Sequence, residues 1–170
     1  MRSIMAMVRP RRPDSAALYA ALVAEARAPG WFLTGGVADS QDGRFAVLSS
    51  VVALAILRLE NGGEDAARAS VALTEAFIAD MDSQMRQAGF GDPSLGKQVR
   101  HMVGALANRV DRWRRTLADD AGWDESVAAT IHRGTPADES ARTFAAESMR
   151  RLHETLDGAD DEAVMRGVWR

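Results

Sequence analysis

A chain of 170 residues without cysteine and with a formal net charge of −3 is long enough for one proper core and can form neither disulfides nor thiolate metal sites. Its longest uncharged apolar run, residues 45–57, falls well short of the roughly 20 residues needed to cross a bilayer, so a soluble or at most peripheral protein is expected. Of 21 basic residues only Lys97 is lysine, which speaks of genome composition more than of function.

The charge is unevenly spread. Residues 1–13 carry Arg2, Arg9, Arg11 and Arg12 with no acid, a local +4, whereas residues 61–170 carry 14 basic and 19 acidic side chains, a local −5. The start reads as a basic, disordered arm able to touch anionic lipid, at roughly 1 kcal/mol per charge near the surface, or RNA. Residues 4–8 are too short an apolar core for a signal peptide, and Arg9, Arg11 and Arg12 follow it. Residues 14–170 form the domain proper.

Helical periods dominate, and no strand-period alternation of useful length occurs. Pro13, Asp14 and Ser15 start a first helix over 14–27, with Leu18, Leu22 and Val23 on its core side, and Pro29 and Gly30 stop it. Residues 31–42 are rich in glycine and turn-formers yet carry Trp31, Phe32, Leu33 and Val37. That content predicts a long ordered loop folded down onto the helices. Residues 43–61 are apolar nearly all round, which places this helix at the centre of a bundle; Asn61, Gly62 and Gly63 end it.

The helix over 64–88 buries Leu73, Phe77, Ile78, Met81 and Met85 and turns Glu75, Asp82 and Arg86 outward. Asp82 and Arg86 stand four apart in the orientation that favours a surface ion pair. Over 94–121 the stripe is clearest: Leu95, Val99, Met102, Leu106, Val110, Trp113 and Leu117 on one side, Lys97, Arg100, His101, Asn108, Arg112 and Arg115 on the other. Shorter helices at 125–132, 138–156 and 160–168 bury Val127, Ile131, Phe144, Leu152, Leu156, Val164 and Trp169. The fold expected is an all-α, single-domain bundle of about six to seven helices.

Between the two long helices, Gly91, Gly96 and Lys97 match the G-x-x-x-x-G-K spacing of a phosphate-binding loop. Three things argue against nucleotide. Gln98 stands where Ser or Thr must hold Mg²⁺, Pro93 removes an N–H donor, and a helical rather than a strand pattern precedes the loop. The simpler reading is a hinge: Gly89 ends one helix in a left-handed conformation, and Asp92 or Ser94 caps the next.

No catalytic constellation emerges. His101, His132 and His153 form no Glu-x-x-His pair of the di-iron kind, and no serine sits in a G-x-S-x-G turn. The acidic pairs at 119–120 and 160–161 adjoin helix ends, where capping accounts for them. Met81, Met85 and Met102 could line a plastic groove, although their stripe positions favour core packing. The basic face over 97–115 is the best interaction candidate, diluted for nucleic acid by Asp111 and the net-negative domain.

Three blocks carry a family likeness. They are Glu25-Ala26-Arg27-Ala28-Pro29 with Gly36-Val37-Ala38-Asp39 and Asp42-Gly43-Arg44-Phe45; then Asp80-Met81-Asp82, Arg86 and Gly89-Phe90-Gly91-Asp92; then Lys97, Met102 and Arg109. Together they resemble the ubiquinol–cytochrome c chaperone family, assembly factors for the respiratory cytochrome bc complex with a bacterial branch. Gln87, Pro93 and Ala107-Asn108 depart from its pattern. The resemblance implies a non-enzymatic, cofactor-free assembly chaperone for a membrane-protein client of the cytochrome b kind. It implies a cytoplasmic location, peripheral at the inner membrane if the basic arm engages the membrane or the ribosome, and no specific DNA binding. The candidate working surface is Arg27, Asp39, Arg44, Asp82, Arg86, Gly91, Asp92, Lys97 and Arg109. For Asp39 and Arg44 a buried ion pair is the alternative role. A nucleic-acid-binding or general protein-interaction module is the alternative function.

Overall fold

The most apolar segment of the chain forms the axis on which the rest is assembled. A computed structural model describes residues 15–133 and 137–169, and every regular element among them is helical. Helix α3 (Gln41–Glu60) is buried without interruption from residue 46 to residue 57. Its only polar groups in that stretch cost nothing, because Ser49 Oγ donates to the Phe45 carbonyl at 2.6 Å and Ser50 Oγ to that of Ala46 at 2.8 Å. Around it pack α1 (Ala16–Ala26), α4 (Glu64–Gln87), α5 (Asp92–Asp119) and α7 (Glu139–Gly158). Each buried Leu or Val of α3 contributes about 1.5–3 kcal/mol.

The connection from α1 to α3 is ordered, as expected, but it contains an unexpected turn of helix, α2 (Gly30–Leu33). Pro29 does follow the end of α1 at Ala26, as expected, and with φ −58° and ψ −26° it also pre-sets this turn. Trp31 is buried, with Nε1 donating to the Glu25 carbonyl at 3.0 Å. Leu33, expected to fold inward, is 84 % exposed, because a single turn can aim only one side at the core. Ser40 then caps α3, its Oγ accepting from Gly43 N at 3.1 Å. Gly43 is required here: a Cβ would lie 2.0 Å from the Ala38 carbonyl oxygen.

Helices α4 and α5 form a hairpin. Gly89, at φ +87°, closes α4 as the sequence predicted; its N–H bonds to the Arg86 carbonyl and that of Phe90 to Met85, at 3.0 and 3.1 Å. The expected cap at Asp92 or Ser94 is corrected. Gly91 is the N-cap, and Ser94 Oγ donates back to the Gly91 carbonyl at 3.0 Å. The helix opens earlier because Pro93 is pre-shaped for a first turn and needs no N–H partner there.

Beyond α5, Asp120 turns the chain at φ +45°, and α6 (Trp123–Val127) runs straight into a π-helical turn, Ala128–His132. After α7, Asp160 caps α8 (Asp161–Met165). One side chain ties this end to the centre. Arg58 of α3 donates from Nε to the Leu156 carbonyl at 3.0 Å and from Nη2 to that of Ala159 at 2.7 Å, and its Nη1 meets Asp161 Oδ1 at 2.8 Å. The basic arm, residues 1–13, lies outside the described residues.

Candidate functional site

Phe45, in the first turn of α3, is only half-buried. Its ring lies 6.1 Å from that of Phe77, and the Arg109 guanidinium lies 5.4 Å above it. Two hollows meet at this residue, sharing Ser40, Gln41, Phe45 and Met102. The first, about 390 Å³, has walls of Val23, Leu48 and Met81 and a rim of Arg27, Asp39 and Arg44. The second, about 640 Å³, is lined by Val37, Met85, Phe90, Ile131 and Arg109 among others.

The structure therefore gathers three of the predicted residues, Arg27, Asp39 and Arg44, at one mouth. Asp39 Oδ1 and Arg44 Nε do pair at 2.7 Å, but their side chains are 59 and 65 % exposed. The buried-pair alternative is corrected: the loop bends outward at Ala38, so the pair stands in solvent and contributes little to stability. The hydrogen bond from Arg44 holds the Asp39 carboxyl below the usual carboxylate range. Deeper in, Asp80 accepts from Tyr19 Oη at 2.6 Å and from Gln84 Nε2 at 3.0 Å. Burial first, and then the Asp80 bond and charge, push the Tyr19 phenol far above its ordinary range.

The remaining predictions scatter. Asp82 and Arg86 form the expected i,i+4 pair, 2.8 Å, on the outer side of α4. Gly91 caps α5 and Lys97 is exposed on it; neither lines either hollow. The Asp92 side chain lies outside the described residues. Arg109, expected on a working surface, is 4 % exposed. Its Nη1 donates to the Ala105 carbonyl at 3.1 Å and Nη2 to that of Thr130 at 2.8 Å, while Nε has no partner. Burial, reinforced by the charge of Arg133, pushes this guanidinium down to about 10, which leaves it charged at neutral pH.

Several site residues were not singled out from sequence. Phe45 is one, a core position by its helical register that lies in both hollows. Met81, Met85 and Met102 are legible in the sequence as a possible groove though favoured for the core; the first two are buried, Met102 is half-buried, and all three line the hollows. His132 was set aside, yet it is buried and its Nε2 lies 2.7 Å from the Gly35 carbonyl. A carbonyl only accepts, so Nε2 donates there, and Nδ1 has no partner. Arg112, expected on the solvent face, is half-buried and donates from Nε to Ser126 Oγ at 2.9 Å.

The one serine hydroxyl among the described residues of the two hollows, Ser40 Oγ, accepts from Gly43 N and is hydrogen-bonded to no histidine or carboxylate. Among the described residues no group of three His, Asp or Glu is placed to hold a metal ion, and none of the helices is long and apolar enough to cross a membrane. The segment before Gly91 is helix α4, not the strand that a phosphate-binding loop requires.

The family model described as Ubiquinol-cytochrome C chaperone matches residues 34–170, and the chain belongs to that family. Its structure is similar to the crystal structure of the Cbp3 homolog from Brucella abortus, with a TM-score of 0.76 and 22% sequence identity over 89% of this chain and 84% of that one. At that identity the likeness is one of fold. No curated protein sequence matches.

Proposed function

We propose that the protein is a non-enzymatic assembly chaperone for the cytochrome bc complex, and that it holds an apolar segment of a membrane-protein client of the cytochrome b kind in the first hollow beside Phe45. The observation that carries this reading is the composition of that hollow: Val23, Phe45, Leu48, Met81 and Met102 in the walls, with Arg27, Asp39 and Arg44 at the mouth. Unbranched, polarisable methionines adapt to irregular apolar partners, and a charged rim keeps the empty groove from self-association. The fold and family membership support a chaperone role, and an apolar, partly formed membrane protein is the client such a groove suits.

Two measurements test it together. A photo-crosslinking residue at Gln84 or Arg44, both on the mouth of the hollow, is expected to capture cytochrome b in growing cells, and the same residue at exposed Arg68 is not. Deleting the gene is expected to lower assembled cytochrome bc complex while its transcripts hold steady. Normal complex levels in the deletion strain would refute the assignment.

A further inference from the structure

Arg109 also lines a third hollow, of about 580 Å³, bounded by α5 and the π turn. Its walls carry five arginines, Arg100, Arg109, Arg112, Arg115 and Arg133, and one carboxylate, Asp111. Asp111 is already engaged by Arg114 at 2.9 Å, and Arg114 also reaches Glu60 at 2.8 Å. Among the described residues Arg100, Arg115 and Arg133 form no ion pair, and Arg112 donates only to the Ser126 hydroxyl. So many like charges on one hollow of a net-negative protein repel one another, and a bound anion relieves that repulsion. Arg109 adds a second, independent sign. It is a buried guanidinium held by two carbonyls, with an unpartnered Nε and no counter-ion, an arrangement costly to maintain unless an opposite charge arrives.

The chemistry of the anion follows from the surroundings. Guanidinium forks match phosphate oxygens in pairs. No Phe, Tyr or Trp lines this hollow, so the stacking platforms of single-stranded nucleic acid are missing. The second hollow, which shares His101, Arg109 and Arg133 with it, is walled by Val37, Met85, Phe90, Met102 and Ile131. A basic hollow continuous with an apolar one suits a ligand with phosphate at one end and hydrocarbon at the other.

We infer that the hollow formed by Arg100, Arg109, Arg112, Arg115 and Arg133 binds the phosphate headgroup of an anionic phospholipid, with the start of an acyl chain entering the apolar hollow beside it. The α5 face then lies against the membrane surface without need of residues 1–13, and the acyl chain abuts the client groove at Phe45 and Met102, which both apolar hollows share.

Co-sedimentation of the full-length protein with phosphatidylcholine vesicles containing phosphatidylglycerol tests this. Wild type is expected to partition onto these vesicles and not onto phosphatidylcholine alone. The triple variant Arg100→Ala, Arg115→Ala, Arg133→Ala is expected to lose on the order of a hundredfold in partitioning. All three side chains are exposed, so its melting curve should match wild type. Replacing Arg68, Arg151 and Arg166, equally exposed but already in ion pairs, removes the same charge and should leave most of the binding, as should replacing Arg9, Arg11 and Arg12. Equal losses in the triple variant and either control overturn the site. So do binding to neutral vesicles, tighter binding to a single-stranded RNA oligonucleotide, and affinity for inorganic phosphate alone that matches the vesicles.

Discussion

Arg109 lies three residues after Leu106 and four before Trp113, within the apolar stripe of α5 rather than on its polar side. Its length lets it pack against Phe45 while its donors reach across to the π turn. Truncation to alanine removes that packing and strands the Thr130 carbonyl, so Arg109→Ala is expected to cost about 2–4 kcal/mol in urea denaturation. Arg109→Met keeps the volume and discards the unpaired charge, and it should cost clearly less. Equal losses in the two variants would mean that the carbonyl bond, not packing, is what the residue supplies. Tyr19 gives a second prediction. Its phenol is raised in the folded state by burial and by Asp80, so the stability it confers is full below about pH 10 and falls away as pH climbs further. Tyr19→Phe should cost about 1 kcal/mol at neutral pH, and the gap to wild type should close in alkaline melts. The sequence pointed to Arg109 through its family block, but its burial was readable only from the stripe register. The burial of His132 was not readable at all, because it depends on a contact with Gly35, 97 positions away.

Local chemistry announced most elements. The long helices lie within two residues or so of their expected bounds, since apolar period and glycine punctuation are both strong there. What escaped was the single turn α2, too short to show a period; the helix expected over 125–132 is present, opening at Trp123 and closing in the π turn. The D-G-R-F block acquires a physical reason in Gly43. Gly43→Ala would press a methyl group into the Ala38 carbonyl, and a cost of about 1–3 kcal/mol in thermal unfolding is expected. Loss of Gln84 crosslinking in that variant would accompany it, because the rim pair of Asp39 and Arg44 rides on the same loop. At the other end of α3, Arg58→Ala should cost about 2–4 kcal/mol, as it frees two carbonyls and a carboxylate at once. Asp161 is depressed by the Gly63 N–H and by Arg58. Its contribution is therefore present above about pH 4 and disappears as the pH falls through the carboxylate range. Asp161→Asn and wild type should differ in melting temperature at pH 7 and converge in acid.

For the molecule as a whole, α3 touches α1, α4, α5, α7 and the π turn, so none of these can leave the bundle without exposing it. Trp31, Trp113, Trp123 and Trp169 are buried at widely separated points. Urea curves followed by tryptophan emission and by far-ultraviolet circular dichroism should therefore superimpose. Two distinct midpoints would show that the α4–α5 hairpin or the α7–α8 end unfolds on its own.

The unbroken burial of α3 also bears on how the protein is made. That segment emerges from the ribosome while α4 is still inside the exit tunnel and before α5 and α7 can reach it, and its middle, buried from residue 46 to residue 57, is unfit to face water. For the time it takes to translate the next few tens of codons, the nascent chain displays the same greasy, unsheltered helix that a half-built membrane protein does. If the proposed client is bound, the protein shares that client's exposure during its own synthesis.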